Sequence, residues 1–487
     1  MLSAIGQVTS PNPQASALYQ ALDTAQKRAK QQFKPQLVSI TLPTPSLDLL
    51  QIFSHINQDQ SLSFYWEKRD RNCAMVAIDS AIQTTVTGPD RFQSARDWIQ
   101  HHSQRLVTVD PAGDAVQARF LCGFPFLDDG PAATVFLPRW QITTHQGDRP
   151  RTIALLNCTI NPHDSVDELW QRYQHQLEKI QTWGGDRDSF SPYAPLPLPH
   201  RQSWKIPDLR NDLGDGQGFI DGVERAIADI QAGYLRKVVL SHVLDLRLSV
   251  ATHPASLLHN LRQRYPNCYT FAFGTGTGET FLGASPECLV RIQRHKELPQ
   301  QPRTLYTEAL AGSAPRGRTR LEDQRLGDRL LRSTKECHEH RLVADFIAER
   351  LHQLGIQTQA PPDPQLRKLA NIQHLHAPIS GPFPPHLSPL DGVAALHPTP
   401  AVAGTPRPEA INRIAQYESF DRGFYAGPIG WVDRQGLGEF AVGIRSALLC
   451  GDRARLYAGA GIVEGSDPHR ELAEVRLKLQ ALLAALV

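Results

Sequence analysis

Between Gly218 and Ala232, the apolar residues Ile220, Val223, Ile227 and Ile230 recur at i, i+3, i+7 and i+10, a spacing that predicts the buried face of an α-helix. The period then drops to two. Lys237–Leu248 alternates as a strand, and Tyr269–Phe273 and Thr280–Leu282 read as strands joined by the hairpin-like turn G-T-G-T-G-E. Helical spacing returns over Glu336–Leu354. Three more strands, Tyr425–Val432, Gly438–Leu449 and Arg455–Ile462, precede a helix from about Pro468 onward.

The first half is patchier. Short strand-like runs occur at Leu37–Ile40, Leu62–Trp66, Ala74–Ile78 and Phe120–Phe126, and Ser165–Thr182 is helical. Prolines in S-P-Y-A-P-L-P-L-P-H, Ser191–His200, can continue neither a helix nor a central strand and predict a linker. Pro378–Pro389 reads as a second Pro-rich loop, and no internal repeat is present. Strands joined by short turns, with few helices between them, predict an α+β protein with large, mostly antiparallel sheets flanked by helices. Residues 1–200 would form an N-terminal α/β subdomain and 206–487 the larger unit. The sheet of the second half is too short to close alone, so the first half is expected to complete one core.

Composition narrows the field. Of 487 residues, 41% are hydrophobic and 21% charged, which is ordinary for a soluble globular chain. A net charge of +2 gives no reason to expect nucleic acid, and no stretch is long and apolar enough to span a bilayer. The start, M-L-S-A-I-G-Q-V-T-S, lacks the basic end and apolar middle of a secretory signal, so a cytoplasmic protein is expected. Cysteines 73, 122, 158, 268, 288, 337 and 450 are odd in number and form no C-x-x-C. They read as free thiols in a reducing compartment.

The densest chemistry lies in S-T-K-E-C-H-E-H-R-L-V-A-D-F, Ser333–Phe346. Cys337, His338 and His340 are zinc-ligand types, but on a helix His338 points away from the other two. Glu339 sits one turn before Val343 and so belongs to the inward, apolar stripe. A buried carboxylate needs a partner: an arginine such as Arg332 or Arg341 on the plain reading, a cation on the functional one. A second helix, R-E-L-A-E-V-R-L-K-L, Arg470–Leu479, sets Glu471, Glu474 and Lys478 along one face. This is either a solvated face or half of a site. Just before it, Gly459 and Gly461 interrupt a strand, which often means that a ligand or backbone passes close. Acids beside such a strand suit an oxygen-ligated cation such as Mg2+.

Other residues carry a functional reading beside a bland one. Lys237 in L-R-K-V-V-L-S-H-V-L is a desolvated general base or an edge lysine reaching solvent. Glu287 in F-L-G-A-S-P-E-C-L-V is a protonated acid or a turn residue facing water. L-A-G-S-A-P-R-G, Leu310–Gly317, lets a ligand lie on backbone or is an ordinary loop. Arg445 in A-V-G-I-R-S-A is a buried guanidinium wanting a carboxylate, or lies on a solvent face.

Together these motifs resemble the chorismate-utilising enzymes, the family of isochorismate, salicylate, anthranilate and aminodeoxychorismate synthases, from about Gly218 to the C-terminus. The resemblance implies that Glu339 and Glu474 ligate Mg2+, with Glu471 as an outer ligand, and that Cys337 and the histidines beside Glu339 are incidental. It implies Lys237 as the base that activates water and Glu287 as the acid that protonates the leaving 4-hydroxyl. It makes Arg445, Gly459 and Gly461 the cradle of the enolpyruvyl carboxylate, and Gly312, Ser313 and His397 contacts of the ring and its carboxylate. Tyr425 would line the pocket and Lys478 would balance charge.

Within the family, Ala311 stands where aminodeoxychorismate synthases carry a nucleophilic lysine. P-T-P-A-V-A-G-T-P, Pro398–Pro406, stands where anthranilate synthases usually read G-T-x-S-G-A-P. His397–Ala401, with G-F-P-F and F-L-P-R between Gly123 and Arg139, resembles isochorismate synthases. Salicylate synthases, which go on to eliminate pyruvate, tend to have threonine where this chain has Ser313. The implied activity is isomerisation of chorismate to isochorismate, with no glutaminase subunit because water is the nucleophile. Menaquinone or phylloquinone synthesis is the expected setting.

Overall fold

A computed structural model of the chain describes residues 13–56, 61–110, 113, 116–145, 151–183, 216–248, 252–294 and 302–486. The expected Ser191–His200 linker lies outside the described residues. The described strand pairs are antiparallel, except for Gln36–Thr44 beside Leu106–Val109. One ribbon of paired strands runs in the order Cys73–Val86, Leu62–Lys68, Tyr269–Thr275, Glu279–Ser285, Ser446–Cys450, Arg453–Val463, Lys237–Arg247. A second runs Arg119–Gly123, Pro428–Asp433, Gly438–Val442, Cys288–Gln293, Thr304–Pro315, Ile372–Pro382. The long strand Ala133–His145 pairs with the first member of each ribbon and joins them.

Two of these ladders cross between the halves of the chain: Leu62–Lys68 with Tyr269–Thr275, and Arg119–Gly123 with Pro428–Asp433. The buried apolar side chains form one continuous cluster across the same boundary. Phe273 meets Phe64 and Phe136 from the first half, with ring centroids 6.2 and 6.0 Å away, and Phe424 from the second at 5.5 Å. Burying rings of this size is worth roughly 1.5–3 kcal/mol each, so the junction is stabilised by packing as well as by backbone bonds.

Most of the expected elements are present with shifted ends: the helix Gln217–Gln231, the strand Lys237–Arg247, the hairpin around Gly276, the helix Thr334–Gln353 and the C-terminal helix Pro468–Leu486. Three expectations are corrected. Gly438–Leu449 is two strands, Gly438–Val442 and Ser446–Cys450, because the chain passes from one ribbon to the other between them. Arg445 takes a left-handed φ of 52° at that crossing. The strand expected from Tyr425 begins at Pro428, leaving Tyr425 in the turn before it. Pro378, assigned to a loop, lies in the strand Ile372–Pro382. The neighbouring strand Gln365–Lys368 pairs only as far as His376, so a proline at 378 withholds no ladder donor on that side.

Candidate active site

The helix Thr334–Gln353 begins at Ser333, whose hydroxyl accepts the Glu336 N–H. Its buried stripe, Val343, Ile347 and Leu351, continues one turn back to Glu339, so the carboxylate is carried inward with the apolar side chains. Cys337, His338 and His340 diverge: the Cys337 thiol meets Leu331 O, His338 is exposed, and His340 Nε2 lies 3.3 Å from Ala309 O.

Glu339 Oε1 lies 2.8 Å from Nζ of Lys237, which is fully buried at the start of its strand. The contact is an ion pair by distance, but no acceptor is aligned on the amine as a hydrogen bond among the described residues. Across the ladder from Val239 sits Gly461. A Cβ there would run into the Glu339 carboxylate and lie 3.2 Å from Lys237 Cε, so only glycine lets both side chains rest on this backbone. Gly459 stands opposite Ser241, and its carbonyl accepts a 2.7 Å bond from Lys478 Nζ.

The C-terminal helix brings two more acids. Glu471 is buried and takes a 3.0 Å bond from Lys335, while Glu474 is 2.7 Å from Lys478. Each of the three acids expected to bind metal is therefore paired with its own lysine. Glu336, one turn before Glu339 on the same side, accepts the Ser313 N–H at 3.0 Å. Burial pushes the Glu336 carboxyl up to about 7, with Glu339 adding to the effect. Burial also raises Glu471, against the pull of Lys335, and Glu474 adds to that rise. Burial works against Glu474 too, but Lys478 outweighs it and holds that carboxyl below its ordinary range. Among the described residues, no three acidic, His or Cys side chains are already arranged around one point as a metal set. The donors nevertheless fit a hard dication: all are oxygens, they crowd one cleft, and two of them are held toward protonation by burial and by neighbouring charge.

The opposite wall is a chain of bonds. Arg445 Nη2 lies 3.0 Å from His374 Nε2, and His374 Nδ1 lies 3.0 Å from Ser313 Oγ. Arginine can only donate, so Nε2 is the acceptor and Nδ1 carries the proton. Burial, then Arg445 and Lys478, hold the His374 ring well below its usual value, which keeps it neutral. Ser313 follows a bulge in its strand at Gly312, whose φ of 76° suits glycine. Arg445 meets no carboxylate at ion-pair distance among the described residues. Tyr425 stacks on Tyr457 with centroids 5.0 Å apart and planes 9° apart, closing one end.

Glu287 enters from the turn that follows Glu279–Ser285. Its carboxyl is pushed up to about 8, chiefly by burial and then by Glu308, while Lys237 and Arg367 pull the other way. The cleft framed by Glu287, Ser313, Glu339, Arg445, Gly459 and Glu474 is narrow, with an interior volume of about 100 Å³.

One expected contact is elsewhere. His397 Nε2 lies 3.0 Å from Phe126 O, and its ring packs edge-on against Phe92 and Phe126, lining a separate cavity. The reason is chain direction: His397 ends the helix Pro389–Leu396 facing the first half, and the segment reaches the cleft only at Ala401 and Val402. The cleft histidine is His374. Neither it nor Lys335 is among the residues that the sequence singles out. The available signal was the H-x-H of Gln373–His376 in a strand, which puts both rings on one face.

Sheet and cleft together define an enzyme whose pocket gathers a carboxyl raised by burial, two lysines, an arginine and a crowded set of acids around a space for a small molecule, with Lys237 buried against one of those acids. The chain belongs to the chorismate binding enzyme family, whose model matches residues 20–487. It is 32% identical over 463 residues to the salicylate biosynthesis isochorismate synthase of Pseudomonas aeruginosa, covering 93% of this chain and 90% of that one. It is 30% identical over 453 residues to the isochorismate synthase MenF of Escherichia coli, covering 92% and 93%. The solved structure of the Escherichia coli menaquinone-specific enzyme, MenF, superposes with a TM-score of 0.72 at 29% identity, over 97% of this chain and all of that one.

Proposed function

We propose that this protein is an isochorismate synthase, converting chorismate to isochorismate with Mg2+ as cofactor. The observation that carries the reading is that Glu287, whose carboxyl burial pushes up to about 8, lines the same cleft as Glu339, the acid that lies 2.8 Å from the buried Lys237 amine. The reaction needs such a pair: water attacks C2, the ring double bond shifts, and hydroxide leaves C4. Lys237 takes the proton from the attacking water in its neutral amine form, its own proton having first been lost to solvent as the ion pair with Glu339 is given up, and Glu287 gives its proton to the departing oxygen, so one water enters and one leaves. Both groups are reset by proton exchange with solvent after product leaves.

The remaining residues orient the substrate. Arg445, with the backbone at Gly459 and Gly461, takes the enolpyruvyl carboxylate, and Gly312 and Ser313 face the ring and its carboxylate. Tyr425 forms the wall, and Lys478 adds positive charge near Gly459. Glu339 and Glu474, with Glu471 farther out, would hold Mg2+, which supplies positive charge for the ring carboxylate. Ala311 lines the cleft and presents no amine to compete with water as the nucleophile. The relatives that span nearly the whole chain are named isochorismate synthases, one for salicylate biosynthesis and one for menaquinone, which supports the reaction more firmly than any one downstream use.

Running the reaction in 18O-labelled water tests the proposed chemistry. One labelled oxygen at C2 of the product is expected. An unlabelled isochorismate would contradict attack by water.

A further inference from the structure

The residue next to Glu287 is tied down by a group that the reaction itself does not use. Glu308, on the strand Thr304–Pro315, accepts the Cys288 N–H at 2.7 Å through Oε1. Its other oxygen takes a 2.6 Å bond from Arg367 Nη1 and lies 2.8 Å from His376 Nε2. These partners come from two further strands, Gln365–Lys368 and Ile372–Pro382, which pair with each other. Three partners on two oxygens leave this nearly buried carboxylate ionised: burial works against it, but His376 and Arg367 outweigh burial. Glu308 does not line the cleft, so it does not touch a bound substrate.

We infer that Glu308 is a positioning residue for Glu287: it clamps the backbone that carries the acid and fixes a negative charge beside it, so that Glu287 enters the reaction with its proton on. This rests on the reading of Glu287 as the proton donor. The groups facing Glu287 are few. Glu308 from its strand adds to the effect of burial, while Lys237 and Arg367 oppose it. Around Glu308 stand Arg367, His376 and the backbone of Cys288. A like charge held in place by two cationic or hydrogen-bonding partners cannot relax by taking a proton itself, so the neighbouring acid takes it instead. The arrangement also explains why a glutamate, and not an apolar residue, occupies a buried position that costs three partners to satisfy.

The test is the pH profile of kcat for three variants of the full chain. Glu308→Gln keeps an oxygen for the Cys288 N–H but removes the charge. Its alkaline limb is expected to move down by about one pH unit, the size typical of one lost like-charge neighbour, while Mg2+-dependent KM for chorismate holds. Arg367→Gln removes an opposing positive charge and is expected to move the limb up. A purely structural role for Glu308 would lower kcat at every pH and leave both limbs in place. That result, or a shared direction in the two variants, would overturn the inference. If Glu308→Gln does not fold, Glu308→Asp takes its place: its charge, set back by one methylene from Cys288 N–H, is expected to move the alkaline limb down by less than one pH unit, and a limb left in place would overturn the inference. Glu287→Gln separates this inference from the one beneath it. If that variant keeps turnover with the wild-type alkaline limb, Glu287 is not the donor. If it is inactive while the Glu308→Gln limb stays in place, the donor stands and the inference about Glu308 fails.

Discussion

Lys237 Nζ lies 2.8 Å from Glu339 Oε1, the amine fully buried and the carboxylate nearly so, where two strands and a helix meet. The proposed base and the proposed metal ligand are thus in contact. Each is neutralised by the other, and breaking the pair from either side leaves one buried charge exposed to the cleft alone.

Replacing the amine therefore separates chemistry from binding. Lys237→Ala should lower kcat by roughly 10²–10⁴, the usual contribution of a positioned acid or base. Mg2+-dependent chorismate binding, read by calorimetry, should survive. Near-normal turnover would remove Lys237 from the mechanism.

Gly461 holds that contact open. Gly461→Ala places a methyl group against the Glu339 carboxylate and 3.2 Å from Lys237 Cε. Misplacing reacting groups by about 1 Å can cost ~10²-fold, so kcat/KM should fall on that order with the circular dichroism spectrum unchanged. An unaffected rate would mean that Glu339 and Lys237 have room to shift without consequence.

Glu287 makes both rate and stability depend on pH. Its folded-state value of about 8 lies above the ordinary 4.5, so between those values the folded chain holds a proton that the unfolded chain has lost. The sign follows from linkage: the contribution of this group to stability falls as pH rises from about 4.5 to about 8, and is constant above. Glu287→Gln, with no charge to bury, should have a higher Tm than the parent at pH 8 and little advantage at pH 5, while losing turnover. The parent rate should decline above about pH 8. A parent Tm that rises across this window faster than that of the variant would contradict the assignment.

Metal binding should be visible without activity. Four carboxylates, Glu336, Glu339, Glu471 and Glu474, face one cleft. Mg2+ added at about 100 times its Kd should stabilise the chain by about 2.7 kcal/mol, read as a rise in Tm that a chelator reverses. In Glu474→Gln the rise should require markedly more Mg2+. An identical Mg2+ response in this variant would place the ion elsewhere.

Sequence carried much of this, unevenly. The acid pattern around Glu339 and Glu474 was readable because each helix repeats its apolar residues at a period that assigns every side chain a face. Arg445 stands out in the sequence, but its crossing between ribbons does not: alternation over Gly438–Leu449 looks unbroken, and the left-handed turn leaves no composition signal in a non-glycine residue. His397 drew attention through its neighbours in sequence, whereas the cleft histidine, His374, is defined by pairing with a strand more than fifty residues away. The clamp of Glu308 by Arg367 and His376 was equally hidden, because nothing local says that those strands are neighbours.

The central claim is the reaction, and its product tests it most directly. Purified protein would be incubated with chorismate and Mg2+, with and without an ammonium salt, and the products separated by chromatography with mass detection. A species isomeric with chorismate, formed without ammonium and lost on chelation, is the predicted result. Salicylate with pyruvate, anthranilate formed only with ammonium, or binding of chorismate with no turnover would each contradict it.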